Sequence, residues 1–165
     1  MAVKKILLLG NPCLYKVCKP VQRNECRLVE IVVQDLHDTI MEFKLQNGFG
    51  RAIAAPQIGV NKRLVYMYVD QPVVFINPVF EFLSDEMIAL WDDCMSFPDL
   101  LVKVRRHQRC RIYFQNESWE EQKMELNGSL SELLQHEVDH LDGILAIQRA
   151  VDSRSIVIKS QRKFL

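Results

Sequence analysis

The chain has 165 residues, 48% of them hydrophobic and 25% charged, which suits one compact globular domain spanning residues 1–165. Lys+Arg and Asp+Glu balance at 21 each, so no bulk field draws the protein to nucleic acid or to an anionic membrane. The apolar run near the N-terminus is about five residues, short of the roughly 7–15 of a signal-peptide core, and no stretch approaches the ~18 apolar residues of a membrane span. Five irregularly spaced cysteines (Cys13, Cys18, Cys26, Cys94, Cys110) suggest no disulfide framework and point to a reducing, cytoplasmic setting.

After an N-terminal arm, Asn24 is placed to cap a helix running to about Gln46. Leu28, Ile31, Val32, Leu36, Thr39, Ile40 and Phe43 form its apolar stripe, and Asn47-Gly48 and Gly50 stop it. The pattern then changes to short β-rich runs: Leu64–Val69, Val73–Ile76, Val79–Leu83, Leu101–Val104, Arg109–Phe114 and, more weakly, Lys123–Leu126. A second helix opens at Asn127-Gly128-Ser129, with Ser129 and Glu132 spaced as a capping box. Leu130, Leu133, Leu134, Val138 and Leu141 supply its buried stripe, and Gly143 lies where it can end. Residues 149–165 read as a final short helix or a strand. Helix, strands, helix is an α+β order.

The chemistry concentrates on the second helix, in His136-Glu137-Val138-Asp139-His140. Residues four apart project from one helix face, so both imidazoles can converge on one metal, with Glu137 leaning over it as an unbound acid/base. The competing reading is an ordinary polar helix face. Asp139 reads as a solvated or helix-orienting carboxylate. A catalytic metal usually takes a third protein ligand. Beyond His140 the chain offers no His or Cys and only Asp142 and Asp152 as carboxylates, so the search turns upstream. Cys94, in Trp91-Asp92-Asp93-Cys94-Met95-Ser96, follows a β-type segment and reads either as that ligand or as a small core residue. His37 and His107 match no motif and default to surface or core.

With these residues together, the chain resembles the peptide deformylase family along nearly its whole length. Gln135–Leu141 matches the motif Gln-His-Glu-x-Asp-His-Leu; Asp92–Ser96 is a variant of Glu-Gly-Cys-Leu-Ser; Gly50–Gln57 is a variant of Gly-x-Gly-x-Ala-Ala-Pro-Gln. Cys94 precedes His136 by 136 − 94 = 42 residues, as in familiar members. Asn11-Pro12, Lys19-Pro20-Val21 and Ile76-Asn77-Pro78 match too.

The resemblance implies an α+β fold, antiparallel strands packed around a central metal-binding helix, plus the N-terminal helix. It implies Cys94, His136 and His140 as metal ligands, Fe(II) in the cell with Zn(II), Ni(II) or Co(II) able to substitute. It implies Glu137 as acid/base, and the Gln57 side chain with the Met95 backbone N–H as oxyanion donors. Gly50, Arg51, Ala52 and Ile53 would run beside the substrate peptide like an added strand. The implied substrate is the formyl-methionine terminus of new polypeptides, met near the ribosomal exit.

Three departures bear on substrate handling. Ala52 puts a methyl where the motif has glycine, Asp92 shortens a supporting carboxylate that can reach a residue such as Arg106, and Asp93 replaces a glycine before the ligand cysteine. Leu100-Leu101 occupies a stretch where many members carry an arginine. The alternatives these departures leave are an amide hydrolase of shifted N-acyl specificity and a non-catalytic, metal-stabilised peptide binder.

Overall fold

The structure, a computed structural model, describes residues 3–165. Its first long element, helix α1 (Cys26–Asn47), is entered through a 3-10 turn, Arg23–Glu25, in which the Gln22 N–H donates to Glu25 Oε2 at 2.7 Å. Asn24 lies inside that turn and is not the cap. The helix ends as expected, on Gly48 in the left-handed region at φ 75°, with its N–H on the Lys44 carbonyl.

The stripe is a correction as well. Leu28 and Ile31 are exposed (38% and 53%), and the buried face is Val29, Val32, Leu36 and Ile40, with Asp35 and Thr39. Both sets satisfy helical spacing, because the helix carries apolar residues at 28 and 29 and again at 31–33. Packing onto Ile53, Leu64, Tyr66 and Ile76 decides between them.

Among the described residues, eight strands form two antiparallel sheets. The first has the order β1 (Ala52–Ala54), β2 (Leu64–Tyr68), β3 (Pro72–Leu83), β6 (Arg109–Gln115), β7 (Glu121–Asn127). The second has the order β4 (Met87–Asp92), β5 (Leu100–His107), β8 (Ile156–Ile158). The two runs expected at 73–76 and 79–83 are one strand, β3, interrupted by a bulge at Asn77, where φ is 51°. The Asn77 side chain accepts from the Val21 N–H at 2.8 Å and donates to the Val21 carbonyl at 2.9 Å, so the bulge ties down the N-terminal arm. The final segment contains both a strand, β8, and a 3-10 turn, Lys159–Phe164.

Helix α2 (Ser129–Leu141) lies between the sheets and packs on β1, β2, β5 and β7. Leu133, Leu134, Val138 and Leu141 join the core of the five-stranded sheet, the face read from the sequence. The expected capping box does not form. Gly128, at φ 56°, is the cap residue, Ser129 is already helical, and the Glu132 carboxylate turns away to an arginine. Gly143 terminates the helix at φ 72°, where a Cβ would lie 2.6 Å from the Tyr15 carbonyl oxygen. Every residue from Ser131 to Leu141 is buried.

Candidate metal centre

Residues 136 and 140 stand one helical turn apart, and burial of α2 on all sides aims both rings inward rather than at water. The His136 and His140 Nε2 atoms are 3.1 Å apart, and Cys94 Sγ is 3.3 Å from His140 Nε2. Ligand atoms sharing one tetrahedral ion at roughly 2.0–2.3 Å lie about 3.3–3.6 Å apart, so the spacing fits a bound metal. Among the described residues, Cys94, His136 and His140 are the cluster that could hold one, all three buried. The chemistry of the donors agrees. His136 Nδ1 faces Asp92 Oδ2 at 2.8 Å, which places the ring proton on Nδ1 and leaves the Nε2 lone pair toward the cluster. Burial holds His140 well below the usual histidine range, in the neutral form a ligand requires.

Cys94 sits at the start of a tight turn after β4. Its carbonyl accepts from the Phe97 N–H at 3.1 Å, and its sulfur accepts from the Ser96 N–H at 3.4 Å. Met95, next in the turn, is buried beside the cluster. Gln57 follows β1 and is fully enclosed. Its Oε1 accepts from the Ala54 N–H at 2.9 Å, which fixes the amide so that Nε2 points toward Ser96 Oγ (3.2 Å) and Cys94 Sγ (3.6 Å). Glu137 is buried with Oε2 making no hydrogen bond. Burial, with Asp92 and Glu132 adding repulsion, pushes its pKa up to about 7, where a proton moves on and off near neutrality.

Beneath the ligands lies a charge network that spacing alone does not reveal. Arg106, on β5, is buried between Asp92 (3.3 Å) and Asp139. Asp139 is also held by Arg149 at 2.9 Å, so this carboxylate is buried and doubly paired rather than solvated. Burial raises the Asp92 pKa, but His136 and Arg106 together outweigh it and keep the carboxyl below its usual range. The sequence signal was partial: Asp92 to Arg106 was foreseeable from the motif, whereas Arg149 carried none.

The departures fall into place. Asp93 has no positive φ, so its backbone needs no glycine, and Lys159 Nζ lies 3.6 Å from its carboxylate. Ala52 is buried in an extended strand. Gly50, at φ 125°, is the position in this stretch that requires glycine. A cavity at the cluster is lined by Phe49, Gly50, Arg51, Ala52, Gln57, Cys94, Met95, Glu132, Leu133, His136 and Glu137, among others. Ile53 is not part of that lining; it is fully buried against α1. His37 bonds the Tyr66 hydroxyl at 2.7 Å and His107 faces the Ser84 carbonyl at 2.6 Å, both away from the cluster.

Comparison with known proteins agrees with this geometry. The sequence model of the family described as Polypeptide deformylase matches residues 3–155. Peptide deformylase 1 of Prochlorococcus marinus is 38% identical, over 94% of this chain and 84% of its own. The peptide deformylase of Bartonella tribocorum is 33% identical, over 99% and 93%. Among solved structures, the Thermotoga maritima peptide deformylase superposes with a TM-score of 0.85 at 31% identity, covering 92% of this chain and all of its own. The Met-Ala-Ser-bound class I type b enzyme of Acinetobacter baumannii superposes with a TM-score of 0.82 at 27% identity, covering 90% and 98%. The chain belongs to the peptide deformylase family.

Proposed function

We propose that this chain, acting as one catalytic domain, hydrolyses the N-formyl group from the formyl-methionine terminus of newly made polypeptides in the cytoplasm, as they leave the ribosome. The observation that carries the reading is the convergence of Cys94 Sγ and two imidazole Nε2 atoms beside an unpartnered, buried Glu137. A metal held for stability alone has no need of such a carboxylate.

A divalent ion on Cys94, His136 and His140, Fe(II) in the cell, would supply Lewis acidity toward water and the acyl oxygen. Glu137 accepts the proton of the attacking water on Oε2 and returns it to the amine nitrogen as the carbon–nitrogen bond breaks, releasing formate and a free N-terminus. The Gln57 Nε2 donor, fixed by Ala54, and the Met95 N–H stabilise the acyl oxygen as it gains charge; one such donor is typically worth on the order of 10²–10³ in rate. The substrate main chain lies along Gly50, Arg51, Ala52 and Ile53, on edge strand β1, a mode that reads backbone rather than side chains. No helix among the described residues is long and apolar enough to cross a membrane.

The test is an anaerobic assay of the Fe(II)-loaded protein on formyl-Met-Ala-Ser and acetyl-Met-Ala-Ser. Formyl-selective turnover is expected. Preference for acetyl would move the reading to another N-acyl group, and inertness toward both with metal bound would leave a peptide-binding protein.

A further inference from the structure

The cavity at the ligands adjoins a second hollow of about 380 Å³, and the two share Phe49, Gly50, Arg51 and Asp93. Beyond that common rim, the hollow is walled by Lys44, in the last turn of α1, and by Arg162, in the 3-10 turn Lys159–Phe164. Trp91 and Leu101 supply apolar lining. The match to the family's sequence model ends at residue 155, so the Arg162 wall comes from a segment outside it.

That segment is anchored at its first residue. The Lys159 N–H donates to the Asp99 carbonyl at 2.7 Å, and the Lys159 ammonium stands 3.5 Å from the centre of the Phe49 ring. The same ammonium lies 3.6 Å from the Asp93 carboxylate. The charges of the hollow are therefore uneven. Asp93 is its one carboxylate among the described residues, and Lys159 offsets it, while Glu132 offsets Arg51. Lys44 and Arg162 form no ion pair among the described residues, so two exposed cations line a recess without a counter-charge.

The direction of a bound peptide decides what reaches this recess. Gln57 follows β1 and Gly50 precedes it, so a peptide whose acyl group lies at Gln57 and the ligands leaves past Gly50. In an extended peptide the first and third side chains share a face and stand about 6.6 Å apart along the strand. With the first in the metal cavity, the third falls over the adjoining hollow. A carboxylate there gains charge-assisted contacts to both cations, while its methylenes cover Trp91 and Leu101.

We propose that this hollow is a subsite for an acidic side chain on the third residue of the substrate peptide, with Lys44 and Arg162 as its specificity-determining residues. The proposal rests on the deformylase reading above and leaves methionine as the first residue. Both cations are exposed, so their pull is modest and screened by salt. It sets preference among peptides and leaves the chemistry unchanged.

The experiment uses the Fe(II)-loaded full chain and C-terminally amidated peptides, so that no terminal carboxylate competes with the side chain. Formyl-Met-Ala-Glu-amide should exceed formyl-Met-Ala-Gln-amide at least threefold in kcat/KM, through KM with kcat unchanged. That preference should fall by at least half in about 0.5 M KCl and in the double variant Lys44→Gln/Arg162→Gln. Arg154→Gln, which removes an exposed charge outside the hollow, should keep it. A parent preference under threefold, or one that the double variant retains by more than half, overturns the proposal. So does an equal loss in Arg154→Gln, which would assign the effect to the overall field, or a larger preference with glutamate moved to the second residue. Calorimetric Kd values for unformylated Met-Ala-Glu-amide and Met-Ala-Gln-amide should differ in the same ratio. They test the hollow even if the parent hydrolyses no formyl peptide, an outcome that defeats the reading of the reaction alone.

Discussion

The two long helices of this molecule spend their side chains in opposite ways. Helix α1 has 22 residues, buries a single apolar face against the five-stranded sheet and leaves the rest in water. Helix α2 has 13 residues and is enclosed on every side, although Glu132, Gln135, His136, Glu137, Asp139 and His140 all lie within it. The first is held by a hydrophobic stripe whose members tolerate exchange so long as volume is kept. The second is held by specific partners elsewhere in the chain: Gln135 by the His107 backbone, His136 by Asp92, Asp139 by Arg106 and Arg149. Among these, Glu137 Oε2 and His140 Nδ1 are left without a partner. A carboxylate oxygen is thus left unpartnered in a helix where almost every other buried polar group is satisfied.

The largest effect expected from breaking this contrast is chemical. Glu137→Gln keeps shape and volume but removes the proton acceptor, and activity should fall on the order of 10²–10⁴-fold. Metal content, read by elemental analysis, should stay at the parent level. A variant retaining near-parental turnover would remove Glu137 from the reaction, and one that lost its metal would show that the residue supports the site instead.

Next comes the network beneath the ligands. Arg106→Ala leaves two buried carboxylates, Asp92 and Asp139, short of a partner. Removing one member of a buried ion pair typically costs about 3–5 kcal/mol, so urea denaturation should show a loss of that size. Leu36→Ala in α1 should cost a comparable amount, about 2–5 kcal/mol, through a cavity alone. The two variants differ in metal retention. The arginine variant should also bind metal more weakly, because Asp92 orients His136, whereas the leucine variant should not. Equal metal affinity in both would show that the network serves stability only.

Much of this contrast was legible in the sequence. The His136-Glu137-x-x-His140 spacing placed two imidazoles and a carboxylate close together because helical geometry leaves little choice. Cys94 was reachable only once a third ligand was demanded and the downstream chain offered no thiol or imidazole. What stayed hidden shares one cause: the deciding contact comes from a distant part of the chain. Ser129 and Glu132 have the spacing of a capping box, yet Arg51, 81 residues away, captures the carboxylate. Asp139 looked solvent-bound because Arg149 sits on the far side of a turn. Ile53 lies on the β1 edge, and that its side chain packs into the α1 core, leaving only its backbone to face a peptide, is set by distant residues. Local rules state what a residue is able to do, and tertiary partners select among those options.

The thiols extend the comparison to reactivity. Cys26, the first residue of α1, is exposed, as is Cys13, while Cys18, Cys94 and Cys110 are buried. Burial pushes the Cys18 pKa up to about 11, so at pH 8 it is both enclosed and protonated. Alkylation of the native, metal-loaded protein at pH 8 should therefore show two thiols reacting in a fast phase and the other three only on unfolding. A third fast thiol at Cys18 would contradict the packing of the arm, whose backbone is pinned there by the Cys18 N–H on the Leu141 carbonyl at 2.8 Å.

The smallest effect expected concerns which face α1 buries. Helical spacing alone puts Ile31 in the buried stripe, and Ile31→Ser would then cost several kcal/mol, as truncations in a packed core do. The structure leaves Ile31 53% exposed and buries its neighbour Val32 to 3%. Ile31→Ser should therefore change stability by no more than about 0.5 kcal/mol, the ordinary range for a surface position, since serine and isoleucine differ little in helix propensity. Val32→Ser, one residue on, should cost well over 1 kcal/mol by removing apolar contacts and enclosing a hydroxyl. Paired denaturation curves measure a rotation of about 100° in the face of one helix. If the two costs were reversed, the packing of α1 would be wrong by one residue, and with it the wall that Ile40 and Phe43 make behind Gly50.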